Sequence, residues 1–247
     1  MESFIILVLF ALIMESVDSS LGMMYGTLLS PILIGCGYQP LEVIPAILLS
    51  QAIGGISGTL FHHKFGNSDF KSLTRETKIM LAMVIPGIIA VAFGILIAIN
   101  LPIFYIKVYI GALVLIMSAL CLTRLKFRFA WWKHITLGSI AAFNKVISGG
   151  GFGPVTSTGG IIGGLSAKVS IATTTFAELG ICLFSFVAYL IFAQVSWVIV
   201  LPLCIGAFVG GVFGPYFCSR GNHKILRIAV GFLGIISGIW LFYKILF

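Results

Sequence analysis

The chain has 247 residues, of which 60% are hydrophobic and 9% charged, and its mean hydropathy is +1.16. A soluble domain is about a quarter charged, so this composition excludes one and places the chain in a bilayer. The formal charge of +8 would suggest nucleic acid in a soluble protein, but the basic residues lie in short loops between apolar runs, where the positive-inside bias accounts for them.

The first apolar arm covers about residues 3 to 20. It is not expected to be a secretory leader, because it carries Glu2 rather than a basic start and no small-residue cleavage site precedes Glu15 to Asp18. The run breaks at Gly22-Met-Met-Tyr-Gly26, resumes over about 23 to 35 and is followed by segments at 42 to 62, 79 to 99 and 105 to 123. The second half repeats this plan with segments at about 134 to 148, 152 to 164, 168 to 193, 196 to 218 and 225 to 247, broken at Gly149-Gly-Gly-Phe-Gly153.

A constant offset of 127 carries Gly22, Tyr25, Gly26, Ser30, Gly37 and Gln51 onto Gly149, Phe152, Gly153, Ser157, Gly164 and Glu178. An ordered series of this kind, with interrupted apolar segments at corresponding positions, is the sequence pointer to a transporter binding site. The expected organisation is two membrane repeats, residues 1 to 128 and 129 to 247.

The first two segments of each half are too short for ordinary spans and fit a broken or re-entrant pair. If each pair enters and leaves on one side, the loops 62 to 78, 124 to 133, 164 to 168 and 219 to 227 share a face. They carry Lys64, Lys71, Arg75, Lys78, Arg124, Lys126, Arg128, Lys133, Lys168, Arg220, Lys224 and Arg227, which is 12 of the 15 basic residues. Counting each pair as one span gives two parallel fourfold units and moves Arg220, Lys224 and Arg227 to the other face. The bias therefore favours an all-α integral membrane protein of two inverted repeats, each a broken helix pair at a glycine-rich motif followed by three transmembrane helices. Small-xxx-small spacings at Gly54/Gly58, Gly206/Gly210, Gly210/Gly214 and Gly234/Gly238 predict close helix packing.

The segments VDSSLGMMYGTLLSPILIGCG and SGGGFGPVTSTGG are each followed by a helix with an amide or acid after a small residue, Ser50-Gln51 and Ala177-Glu178. In these motifs and across essentially its whole length the chain resembles the TauE/SafE sulfite-exporter family of membrane permeases. The resemblance implies movement of a small sulfur-containing anion such as sulfite, a sulfonate or sulfoacetate. Two positions depart from the family pattern. Gln51 stands where an acid is usual, and Lys145 occupies by the internal offset the position of Asp18.

A helix broken inside the bilayer exposes backbone N–H groups that need an acceptor, and an anion supplies one. On that ground the expected substrate-binding residues are Gly22, Tyr25, Gly26, Ser30, Gln51, Lys145, Ser148, Gly149, Gly150, Gly151, Phe152, Gly153, Thr156, Ser157, Thr174 and Glu178. The bland alternative is that the glycines only permit tight crossing. A carboxylate at helix centre costs about 2.5 to 3.5 kcal/mol on insertion scales, which makes Glu178, with Asp18, a candidate for proton coupling. Lys145 reads either as the positive end of an anion pocket or as the partner of Asp18 or Glu178.

His62, His63 and His134 are expected as interfacial anchors, and Trp131, Trp132 and Trp197 as headgroup-level aromatics. The five cysteines show no CxxC pair and are expected as buried free thiols; no cofactor or metal is expected.

The function expected is export of a small anion through a multi-pass protein of the cell membrane. Its partners are the substrate and the lipid bilayer, with no nucleic acid and a homodimer as one open oligomeric state. An inside-negative potential drives each anionic charge outward by about 2.3 kcal/mol per 100 mV, so a passive carrier exports and uptake needs a coupled ion. An anion channel of the same architecture and proton-coupled uptake of an organic acid anion are the alternatives. An intramembrane enzyme is disfavoured, because Ser148, His134 and Glu178 supply residue types but no GxSxG or HExxH motif is present.

Overall fold

The computed structural model of the chain describes residues 2–71, 74–122, 130–162, 164–192, 195–221 and 223–246. Arg124, Lys126 and Arg128 of the expected basic loops lie outside them. The described residues form ten α-helices and no strand: α1 (Glu2–Leu21), α2 (Tyr25–Gly35), α3 (Pro40–Lys64), α4 (Arg75–Asn100), α5 (Ile103–Leu122), α6 (Trp131–Ser148), α7 (Phe152–Ile162), α8 (Ala167–Phe192), α9 (Trp197–Arg220) and α10 (His223–Leu246). Five of them, α1, α3, α4, α8 and α9, are long and apolar enough to span a bilayer, which corrects the expectation that the first arm is too short for an ordinary span. At 1.5 Å per residue the 11-residue α2 and α7 are about 16 Å long and cannot cross a hydrocarbon core of about 30 Å alone.

Local sequence explains where these helices begin and end. Thr74 caps α4 by accepting from the Thr77 N–H at 3.3 Å, and Gln39 opens α3 in a capping box with Glu42. α6 ends where Gly149 turns left-handed at φ 72°, a conformation that glycine adopts without strain. Left-handed backbone recurs at pairs 127 residues apart: Gly22 (69°) with Gly149, Met24 (143°) with Gly151 (81°), and Gly37 (106°) with Gly164 (94°).

Glycine contacts fix the helix directions. α1 and α9 run the same way, since Gly206, Gly210 and Gly214 meet Ala11, Glu15 and Ser19 in turn. α3 shares their direction: Ser57 Oγ donates to the Phe208 carbonyl at 2.9 Å, and Asn67 Nδ2, just past the helix, donates to the Pro215 carbonyl at 2.8 Å. α4 and α6 run together, with Gly138 on Met83, Ala142 on Gly87 and Val146 on Gly94. α8 opposes α3, because Gly55 meets Leu179 while Gly58 meets Thr175. α5 opposes α10 through Gly111 on Phe242, Leu115 on Gly238 and Ser118 on Gly234.

α1 and α3 are parallel, and the end of α2 lies by the start of α1, where Ile32, Leu33 and Cys36 line one groove with Ile6, Leu7 and Phe10. Large apolar side chains cover the outer faces, among them Ile6 and Leu9 of α1, Ile89 and Phe93 of α4, Ile191 of α8 and Val198 of α9. In lipid these faces need no further partner. Trp131, Trp132 and Trp197 are exposed at the starts of α6 and α9. His62 and His134 correct their expectation as interfacial anchors, since both are buried, His62 with its Nδ1 3.1 Å from Asn67 Nδ2. Cys182 and Cys218 are buried free thiols, but Cys36 is exposed at the end of α2.

Candidate functional site

The two glycine breaks meet in the interior. A Cβ on Gly26 would collide with the Gly149 carbonyl, and one on Gly153 with the Gly22 carbonyl, so backbone lies against backbone across the crossing. Ser30 Oγ donates to the Ser148 carbonyl at 2.6 Å, and the Gly151 N–H donates to Thr27 Oγ1 at 3.3 Å. Ser148 Oγ accepts from the Gly150 N–H at 3.1 Å and donates to the Asn144 carbonyl at 2.7 Å. Gly26, Gly150 and Gly153 therefore pack backbone against backbone at the crossing.

Some of the expected hydroxyls turn inward on their own helices. Thr156 donates to the Phe152 carbonyl at 2.8 Å, and Ser157 to the Gly153 carbonyl at 2.6 Å. Tyr25 OH reaches across to Ser50 Oγ at 2.8 Å. Thr174, fully buried one turn before Glu178, has an Oγ1 with no hydrogen-bond partner among the described residues.

Beside the crossing lies a buried ionic cluster drawn from four helices. Lys145, on the last turn of α6 before the second break, directs its ammonium to Glu178 Oε1 of α8 at 2.8 Å and to Gln51 Oε1 of α3. Gln51 Nε2 donates to Asp18 Oδ2 at 3.2 Å, and Asp18 Oδ1 accepts from the Tyr25 N–H at 2.8 Å. Asp18 thus occupies the N-terminus of α2, where its negative charge suits the exposed N–H groups. At the equivalent position of the second half stands Lys145, which cannot accept a hydrogen bond.

Sequence reading named Lys145, Gln51, Glu178 and Asp18, and the structure joins all four in one chain of contacts. It missed Glu15, which lies in the same cluster with its Oε1 accepting from Ser19 Oγ at 2.7 Å. The signal was available: Glu15 falls one turn before Asp18 on an otherwise apolar arm. Among the described residues Lys145 is the one lysine or arginine that is buried, against three buried carboxylates. No group of histidines, cysteines and acids among them could hold a metal ion.

Fold and site together define a multi-pass helical membrane transporter with an ionic cluster at its core. The chain belongs to the sulfite exporter TauE/SafE family, whose model matches residues 7–241. It is 27% identical over 248 residues to the probable membrane transporter protein YtnM of Bacillus subtilis (strain 168), covering 94% of this chain and 80% of that one. No solved structure matches it.

Proposed function

We propose that the protein exports a small anion, a sulfur-containing one such as sulfite, a sulfonate or sulfoacetate, by alternating access around the crossing of its two glycine breaks. The observation that carries this reading is Lys145: a buried ammonium beside the break, whose contacts are one carboxylate and one amide. An anion that takes the place of Glu178 on Lys145 gains a buried cation, and Thr174 Oγ1 of α8, which has no hydrogen-bond partner among the described residues, is free to donate to its oxygens.

The displaced Glu178 would otherwise add an uncompensated charge to the cluster, so it takes up a proton as the anion binds. The net charge of the cluster is then unchanged by a singly charged substrate. A doubly charged one leaves one negative charge for the membrane potential to drive outward.

Two inverted repeats supply the moving parts. The left-handed pairs 127 residues apart support that division, as do the opposed directions of α3 and α8 and of α5 and α10. Inverted repeats exchange inward and outward access by rocking one unit against the other around a fixed site.

The test is flux in proteoliposomes loaded with radiolabelled sulfite, taurine or sulfoacetate. Saturable flux with counter-transport is expected for at least one of them, and its loss in Lys145→Met. Flux that persists in Lys145→Met would remove Lys145 from the site.

A further inference from the structure

Glu15 is the acid that the Lys145 contacts leave out. Its side chain is 1% exposed, and among the described residues its Oε2 has no hydrogen-bond partner. It lies in a slot between α3 and α9, where the positions of Gly54 and Gly210 leave 2.7 Å from a Cβ to Glu15 Cδ and 2.8 Å to Glu15 Cβ. Neither glycine offers a side chain to solvate it.

The charged and titratable groups around Glu15 come from each neighbouring element. Asp18 is on its own helix, Tyr25 is on α2, Lys145 on α6, and Glu178 and the buried thiol Cys182 on α8; α3 presents the neutral Gln51, and α9 presents glycine at the contact. Two of these groups are carboxylates, and the one cation is already engaged by Glu178 and Gln51.

Two states of Glu15 compete. As a carboxylate it would be an ion without a counter-ion, at a cost of several kcal/mol before repulsion from Asp18 and Glu178 is added. As a neutral acid it leaves at worst one buried hydroxyl unsatisfied, which costs about 1 to 3 kcal/mol. The neutral form wins. A metal cation is a poor substitute, because it needs several oxygen ligands and only Oε2 is free here.

We propose that Glu15 is a second proton-binding site, occupied before the anion arrives, and that its proton permits anion binding at Lys145. This rests on the transport reading for its purpose but not for its chemistry. With Glu15 neutral, Asp18, Glu178 and Lys145 leave one negative charge in the cluster; with Glu15 ionised they leave two, and an incoming anion is repelled. Proton and anion occupancy therefore favour each other, and by linkage the effect is reciprocal. Rocking of the repeat that holds α1 and α3 away from α9 of the other wets the slot and lets the proton leave.

The experiment is infrared difference spectroscopy of the purified full chain without substrate at neutral pH, read at the carbonyl stretch of protonated carboxylic acids. The band is expected in the parent protein and in Glu178→Gln, and its loss in Glu15→Gln. Ser19→Ala, which leaves Glu15 in place and removes its hydroxyl donor, shifts the band, so a Glu15→Gln protein that fails to fold does not end the test. An absent band, a band undiminished in Glu15→Gln, or no shift in Ser19→Ala overturns the proposal. So does a band that disappears when sodium chloride replaces choline chloride, which would assign the slot to a metal ion. A second readout is sulfite affinity in the Glu178→Gln background, which takes up no proton on binding: it is expected to fall at least tenfold at alkaline pH there and to stay level when Glu15→Gln is added. Anion flux without the carbonyl band would sink this proposal and leave the transport reading standing; the band without flux would do the reverse.

Discussion

The Lys145 ammonium lies 2.8 Å from the Glu178 carboxylate, and both side chains are all but removed from solvent. A pair of this kind is weak evidence for stability, since apolar replacement of both partners is often neutral, whereas removal of one strands a buried charge at a cost of about 3 to 5 kcal/mol. Lys145→Met alone is therefore expected to lower the melting temperature sharply, and Lys145→Met with Glu178→Met to recover most of it. Neither should transport. Thermal melting of the single and double variants in detergent checks the first statement and proteoliposome flux the second; a double variant that transports would assign the pair to structure alone.

The crossing of the breaks makes a different demand. Gly26 and Gly153 face backbone atoms that cannot step aside, whereas a Cβ on Gly151 would meet the Leu113 side chain at 2.9 Å, which can. Gly26→Ala and Gly153→Ala should yield little monodisperse protein. Gly151→Ala should fold, with a loss of about 1 to 2 kcal/mol from its left-handed backbone. Size-exclusion profiles and melting curves decide it, and equal yields from all three would mean that the crossing is loose.

Helix directions predict sidedness. α3 and α9 end on one face, and α2, running opposite to α3, ends on the other with the start of α5. With the basic loops held in the cytoplasm, cysteines at the exposed Lys71 and Arg220 should react only with a permeant reagent in intact cells. Cysteines at Gln39 and Pro102 should react with an impermeant one. Labelling of Lys71 and Arg220 on opposite faces would return the chain to the parallel eightfold layout.

Much of this was legible in the sequence because bilayer thickness and glycine punctuation act locally. The segments read at 23 to 35 and 152 to 164 are α2 and α7, and the breaks between arms fall where Gly22 and Gly149 turn left-handed. The offset that set Lys145 against Asp18 located two members of the cluster. What spacing could not give was partnership across the fold. Lys145 reaches Glu178 and Gln51 directly but Asp18 only through Gln51. Likewise, the role of the glycines depends on what faces them, and Gly26 faces a carbonyl more than a hundred residues away. Glu15 was passed over because neither the glycine breaks nor the offset of 127 marks it, and only α3 and α9 closing over it show it buried with an unpartnered oxygen.

Glu178 separates proton uptake on binding from the proton already held at rest. If the anion displaces Glu178 from Lys145 and Glu178 is then protonated, binding should draw about one proton from the buffer. Calorimetric titration of sulfite in two buffers of different ionisation enthalpy reads that number. In Glu178→Gln the amide keeps the shape but cannot titrate, and Lys145 has lost its competing counter-ion. Proton uptake should fall to near zero while affinity holds or tightens, and the response of flux to an imposed pH gradient should shrink to the part that Glu15 carries. Glu178→Ala should bind more weakly than Glu178→Gln, because it opens a void beside Lys145 and removes the oxygen that positions the ammonium. Proton uptake unchanged in Glu178→Gln would exclude Glu178 as the acceptor and leave it as the fixed counter-ion of Lys145.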